Sequence, residues 1–213
     1  MSQNSTKIIV FDFDGTLVDS MGDFTNEAAQ IISRHYQKDL IWAKKAYRET
    51  SGLPFQFQLE KLFPKNLQNK NANDDFICYK KERYGQSPFF ENLESTLVWF
   101  KKNNFITAIS SNNEEELLKE KLGQFTFLFD DVLGFRENFS KGKNHFDFLK
   151  QKYGVSSASL FFVGDSLHDG KVAFENAVFF IAKVGTFTKE EFKTQGIARF
   201  SIDNLKELTL WKY

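Results

Sequence analysis

Two aspartates spaced one apart, Asp12 and Asp14, end an apolar run in the segment KIIVFDFDGTLVDS, Lys7 to Ser20. If Ile8 to Phe11 form a strand, period-two alternation sets both carboxylates on one side of its carboxyl end. Carboxylates converging in this way repel each other unless a cation lies between them or one keeps its proton. Mg²⁺ suits such a place, being a hard ion that takes oxygen ligands. Gly15 then lets the backbone turn closely past a ligand. A lone D-x-D-G turn reads equally well as a strand ending in a solvated acidic loop, so the rest of the chain must decide.

Three further segments bear on that choice. Apolar Leu160 to Val163 runs into Gly164-Asp165-Ser166-Leu167-His168-Asp169, again a strand delivering carboxylates at its end. Phe105 to Ile109 leads into Ser110, Ser111 and Asn112, and Lys141-Gly142-Lys143 precedes a helix-like segment. In chain order this gives Asp-x-Asp-Gly-Thr, a hydroxyl after a strand, a lysine, then Gly-Asp-x₃-Asp. The set and its order resemble the four motifs of the haloacid dehalogenase-like superfamily, especially its phosphoglycolate-phosphatase-like members. The resemblance runs from Lys7 to about Leu208; its first and last motifs are specific, and the middle two gain meaning from their position.

The resemblance implies a phosphate monoester hydrolase. A carboxylate attacking a phosphate ester brings two anions together, so such a site needs a metal, a fixed ammonium and hydrogen-bond donors. By resemblance, Asp12 is the nucleophile that forms an aspartyl-phosphate, and Asp14 protonates the leaving oxygen and then activates water. Mg²⁺ would be held by the Asp12 carboxylate, the Asp14 backbone carbonyl and Asp165, with Asp169 assisting directly or through water. The implied phosphate-binding set is Gly15, Thr16, Ser110, Ser111 and Lys141, with Thr16 supporting the loop after the nucleophile. Lys141 is preferred to Lys143 for its distance from Phe148 and Leu149. The chain departs here from the commoner family pattern, in which proline follows the lysine. His168 lies between metal-site aspartates on an expected loop and reads as a bystander. His35 and His145 have no partner at metal-ligand spacing and read as surface or packing residues.

The elements that would position these groups are legible as alternation. Strands are expected at Ile8 to Phe11, Phe105 to Ile109, Asp131 to Leu133, Leu160 to Val163 and Val178 to Ala182, with helical patterns between most of them. One helix is expected after Ser110 with Asn112 or Asn113 as N-cap. Alternating strands and helices imply a parallel sheet covered on both faces, with ligands beyond the strands' carboxyl ends. The expected fold is therefore α/β, a Rossmann-like three-layer sandwich, in residues 1–20 and 86–213. Residues 21–85 read as helices throughout, over Phe24 to Tyr36, Trp42 to Thr50, Phe57 to Phe63 and Asp74 to Tyr84, and resemble the helical cap of many such phosphatases. Asn66 to Asp75 reads as an exposed polar loop.

Composition limits the alternatives. Lys+Arg and Asp+Glu are equal at 28 each, so no net field recruits nucleic acid or an anionic membrane. Cys78 is the only cysteine, which rules out an intrachain disulfide and suits a reducing cytoplasm. No apolar run reaches the length of a membrane span, and no signal-peptide pattern opens the chain, so a cytoplasmic monomer or dimer is expected. The 26 phenylalanines read as core filling. Two other readings stay open: a phosphomutase of the β-phosphoglucomutase type, and a non-catalytic binding module on the same fold. Against the mutase, Phe24 stands where those enzymes place a histidine; against decay, all the motif aspartates are present. Asp14 also argues against metal-free dehalogenation.

Overall fold

The computed structural model describes residues 6–211. The chain forms two compact units, one running to Val18 and resuming at Phe89, the other Asp19–Pro88. The first unit is built on a six-stranded, wholly parallel sheet: β1 Lys7–Phe11, β2 Phe105–Ser110, β3 Asp131–Leu133, β4 Leu160–Gly164, β5 Phe179–Lys183 and β6 Phe200–Ile202. Their order is β3-β2-β1-β4-β5-β6. In register, Val10 of β1 pairs with Ala108 of β2 on one side and Phe162 of β4 on the other. The strand order reverses at β1 and β4, which creates the crevice where ligands of open α/β sheets bind.

Strands buried on both faces read as continuous apolar runs, and Ile8, Ile9, Val10 and Phe11 are all buried. On one face Ile8, Val10 and Phe162 meet Phe146 and Leu149 of α7 (Lys143–Tyr153) and Ala173 of α8 (Leu167–Glu175). On the other, the Phe11 ring meets Phe100 of α5 (Leu93–Lys102) edge-on, centroids 6.1 Å apart. A short α6 (Glu115–Leu122) follows β2, and α9 (Lys189–Thr194) follows β5. Neither α9 nor β6 is marked by a pattern in the sequence, being only 6 and 3 residues long.

The second unit holds α1 (Met21–Tyr36), α2 (Leu40–Thr50), α3 (Phe55–Leu62) and α4 (Asn69–Arg83). Its aromatic residues fill its interior: Phe55 and Phe76 centroids are 4.4 Å apart, and Phe24 stacks on Tyr84 at 5.8 Å. The polar stretch expected as a loop is instead helical from Asn69 onward. Tyr36 Oη donates to Asn69 Oδ1 at 2.7 Å, while Asn69 Nδ2 donates to Glu60 and to the Phe63 carbonyl at 2.8 and 2.9 Å. Those bonds and the buried Ala72 and Phe76 outweigh the weak helix propensity of the Asn-rich sequence. Among the described residues no helix is long and apolar enough to cross a membrane.

Gly134, just past β3, shows how tightly the backbone after β2 is packed. A Cβ there would lie 2.4 Å from the Glu115 nitrogen and 2.8 Å from the Asn113 carbonyl, both backbone atoms. Gly134→Ala should therefore destabilise the first unit by about 1–3 kcal/mol, the usual range for overpacking. Thermal unfolding followed by circular dichroism checks this through a melting temperature several degrees lower.

Candidate active site

The site is assembled at the carboxyl ends of β1, β2 and β4. Asp12 follows β1 directly, and its N–H donates to the Val163 carbonyl at 2.8 Å, carrying the β1–β4 ladder one residue further. The chain then turns: Leu17 and Val18 N–H groups both return to the Phe13 carbonyl, and Gly15 takes φ 76°, a left-handed value natural to glycine. Within this turn buried Thr16 donates from Oγ1 to Asp12 Oδ2 at 3.2 Å. The Asp14 carboxylate points to different company, accepting from Asn113 Nδ2 at 2.8 Å. Asn113 is thus occupied, and the N-cap of α6 is Glu114, not Asn112 or Asn113 as the sequence suggested.

Asp165 and Asp169 come from the end of β4 and the first turn of α8. Ser166 and Asp169 form a reciprocal capping box: the Asp169 N–H donates to Ser166 Oγ at 3.0 Å, and Ser166 N–H and Oγ donate to Asp169 Oδ2 at 3.2 and 2.7 Å. The cap uses Oδ2 and turns Oδ1 toward Lys141, 2.6 Å from its Nζ. His168 therefore lies on a helix, not on the expected loop. Asp165 accepts a short hydrogen bond from Thr186 Oγ1.

Lys141 Nζ also lies 2.6 Å from Asp12 Oδ1, so one buried ammonium bridges two aspartates from different elements. Lys143 is exposed and pairs with Asp147. Gly142, where the commoner pattern has proline, takes φ 96°, which a proline ring cannot adopt. Ser110 is buried at the end of β2, with its Oγ 2.9 Å from His145 Nδ1. Ser111 is buried beside it, and its N–H donates to the Leu133 carbonyl at 3.0 Å.

Electrostatics follow from burial. Desolvation pushes the Asp12 carboxyl up to about 7, against the opposing pull of Lys141, and holds Asp165 well above its ordinary value. Burial also works against the Lys141 ammonium, yet Asp12 and Asp169 outweigh it and raise its pKa. Burial depresses His145 to about 4 and lowers His168 as well. One oxygen from each of Asp12, Asp165 and Asp169 falls within a cluster 4.8 Å across. Three buried carboxyl groups beside one ammonium form an all-oxygen set of a kind that fits a hard divalent cation, whose charge would favour their ionised forms.

The family model described as haloacid dehalogenase-like hydrolase matches residues 9–183. The chain belongs to this family. Among curated relatives, it is 28% identical over 180 residues to a phosphoglycolate phosphatase of Pasteurella multocida, covering 76% of this chain and 79% of that protein. A phosphoglycolate phosphatase of Vibrio cholerae is 26% identical, covering 78% of each. In fold it is similar to a haloacid dehalogenase-like family hydrolase from Streptococcus pneumoniae, with TM-score 0.78, 18% identity and coverage of 98% and 99%. A hydrolase from Pseudomonas syringae gives TM-score 0.80 at 16% identity, with coverage of 95% and 96%.

Three site neighbours escape the family motifs: His145, Asn113 and Thr186. His145 is fully buried on the same helix stripe as Leu149, four residues on, so helical spacing alone would have turned it inward. Asn113 and Thr186 carry no such signal, since only the fold brings them to Asp14 and Asp165. The different surroundings of the two lysines give a direct comparison. Lys141→Ala should reduce phosphate-ester turnover by roughly a hundredfold or more, because it removes the buried ammonium that bridges Asp12 and Asp169. Lys143→Ala should stay within about twofold, as expected for an exposed ion pair. Steady-state kinetics on the two purified variants measure the contrast.

Proposed function

We propose that this chain hydrolyses small phosphate monoesters, with Mg²⁺, through an aspartyl-phosphate on Asp12. The observation that carries the reading is the placement of Lys141 Nζ between Asp12 and Asp169 inside a cluster completed by Asp165. Mg²⁺ would be held by the carboxylates of Asp12 and Asp165 and the Asp14 carbonyl, with Asp169 directly or through water. When bound, it supplies positive charge that offsets repulsion between substrate and carboxylates.

Asp12 attacks phosphorus in line, forming an acyl-phosphate bond as the bond to the leaving oxygen breaks. Thr16 and Lys141 hold its carboxylate in place for that attack. Asp14 delivers a proton to the leaving alkoxide and then takes one from the water that cleaves the acyl-phosphate. Asn113 fixes one oxygen of Asp14 for both steps. Ser110 and the backbone at Ser111 bind phosphate oxygens, with Gly15 and Thr16 shaping the wall beside them, and Lys141 offsets charge on the transferring group. The helical unit Asp19–Pro88 serves as the family's cap. Phosphoglycolate is the first substrate to try, because the curated relatives bear that name. The mutase alternative finds no support at Phe24, whose ring packs on Tyr84 with Lys80 Nζ 4.7 Å above it.

The test is turnover of an aryl phosphate and of phosphoglycolate by purified protein. Activity should vanish in excess chelator and return with Mg²⁺. Asp12→Asn should lower the rate by roughly three powers of ten or more while keeping the wild-type circular dichroism spectrum. Near wild-type turnover by that variant would refute the mechanism.

A further inference from the structure

Each carboxyl group of the buried cluster has one oxygen tied to a hydroxyl. Thr16 Oγ1 donates to Asp12 Oδ2 at 3.2 Å, Ser166 Oγ to Asp169 Oδ2 at 2.7 Å, and Thr186 Oγ1 to Asp165 Oδ2. The other oxygens of Asp12 and Asp169 face Lys141 Nζ, 2.6 Å away in both cases. Asp165 lies outside that ion pair, and its side chain is tied by Thr186 instead. Thr16 and Ser166 are near neighbours in sequence of the aspartates they hold, whereas Thr186 is 21 residues from Asp165. The sheet brings them together: Ala182 of β5 pairs with Gly164 of β4, so the loop after β5 leaves the sheet beside Asp165. That loop is short and fixed at both ends. The Val184 N–H donates to the Ile202 carbonyl at 2.9 Å, next to β6. Phe187 is buried against Phe192, with centroids 6.1 Å apart, and Thr188 forms the capping box of α9 with Glu191.

A carboxylate that ligates a cation is ionised and only accepts hydrogen bonds, so in the loaded site the hydrogen between these two groups belongs to the threonine. With Oδ2 engaged, Asp165 offers a cation Oδ1 alone. Mg²⁺ demands near-octahedral ligation and keeps several waters, which suits single oxygens, whereas Ca²⁺ readily takes a carboxylate through both. We infer that Thr186 is a positioning residue that ties down Oδ2 of Asp165, limits this carboxylate to one oxygen for the cation, and so favours Mg²⁺ over Ca²⁺. Removing such a partner of a ligating group typically costs about 10–100-fold in metal affinity. The inference rests on the reading of the cluster as a Mg²⁺ site made above.

Mn²⁺ binding to the metal-free full chain, followed by electron paramagnetic resonance, and its displacement by Mg²⁺ or Ca²⁺ give the affinity for each ion independently of turnover. Thr186→Val keeps the shape of the side chain and removes the hydroxyl; Thr186→Ser keeps the hydroxyl. Thr186→Val should weaken Mg²⁺ binding about tenfold or more and Ca²⁺ binding less, because the freed Oδ2 can serve the larger ion. Thr186→Ser should bind both ions close to the wild-type values. The Mg²⁺ concentration for half-maximal hydrolysis of an aryl phosphate should rise in parallel in Thr186→Val, and the rate deficit should narrow as Mg²⁺ is raised. A change that only loosened the loop would not separate the two ions in this way.

Equal Mg²⁺ affinity in wild type and Thr186→Val would overturn the inference alone. So would an equal loss for Mg²⁺ and Ca²⁺, or a Thr186→Ser variant as weak as Thr186→Val. A wild-type chain that binds neither Mn²⁺ nor Mg²⁺ would overturn the Mg²⁺ reading itself, and the inference with it. Should Thr186→Val fail to fold, as judged by circular dichroism, Thr186→Ala at this partly exposed position makes the same comparison.

Discussion

The site depends on keeping three carboxylates together out of water. Asp12, Asp165 and Asp169 are each less than 5% exposed, and isolated carboxylates at such depth would be driven to protonate. The Lys141 ammonium, inserted between Asp12 and Asp169, makes the arrangement tenable. A lysine so enclosed would lose its own charge without those partners. Each side of the ion pair thus maintains the other, and removing one partner leaves an uncompensated buried charge. This mutual dependence fixes where β1, the turn before α7 and the start of α8 must meet.

The parallel sheet provides the frame. Its order places β1 and β4 side by side at the point of reversal, so Asp12 and Asp165 emerge together without any special loop. The sheet is apolar on both faces, and aromatic side chains fill the space between strands and helices. Chemistry is left to the strand ends and to the short turns that follow, where backbone polar groups are available. The helices then contribute side chains at their first turns: Asp169 from α8, and His145 from α7.

Most of this frame was legible because it is local. The runs around Val10, Ala108 and Phe162 announce strands by composition, and Asp12, Ser110 and Asp165 stand at their ends. Lys141 could be preferred to Lys143 from its spacing to the following helix. What was not legible depends on long-range geometry or on marginal local signals. Asn66 to Asp75 read as loop because its helical part, from Asn69, is held by bonds of the Asn69 side chain to Tyr36, Glu60 and Phe63, which no local propensity announces. Asn113 looked like a cap because Asn favours that position, yet its side chain is engaged by Asp14, 99 residues away. His145 looked unpartnered because metal-ligand spacing was the wrong test, and its partner is a serine hydroxyl at the end of β2.

The division of labour within Asp169 bears on how any variant of this residue must be interpreted. Its Oδ2 closes the capping box of α8 while its Oδ1 faces Lys141, so the carboxylate belongs at once to the local fold and to the buried acidic cluster. Gly164 reinforces the link, since a methyl group there would lie 2.8 Å from the Asp169 side chain. Replacing Asp169 changes the start of a helix and the charge of the site in a single step. Substitution at Asp169 therefore confounds the charge of the cluster with the architecture of the helix, and a rate measured on it has two causes.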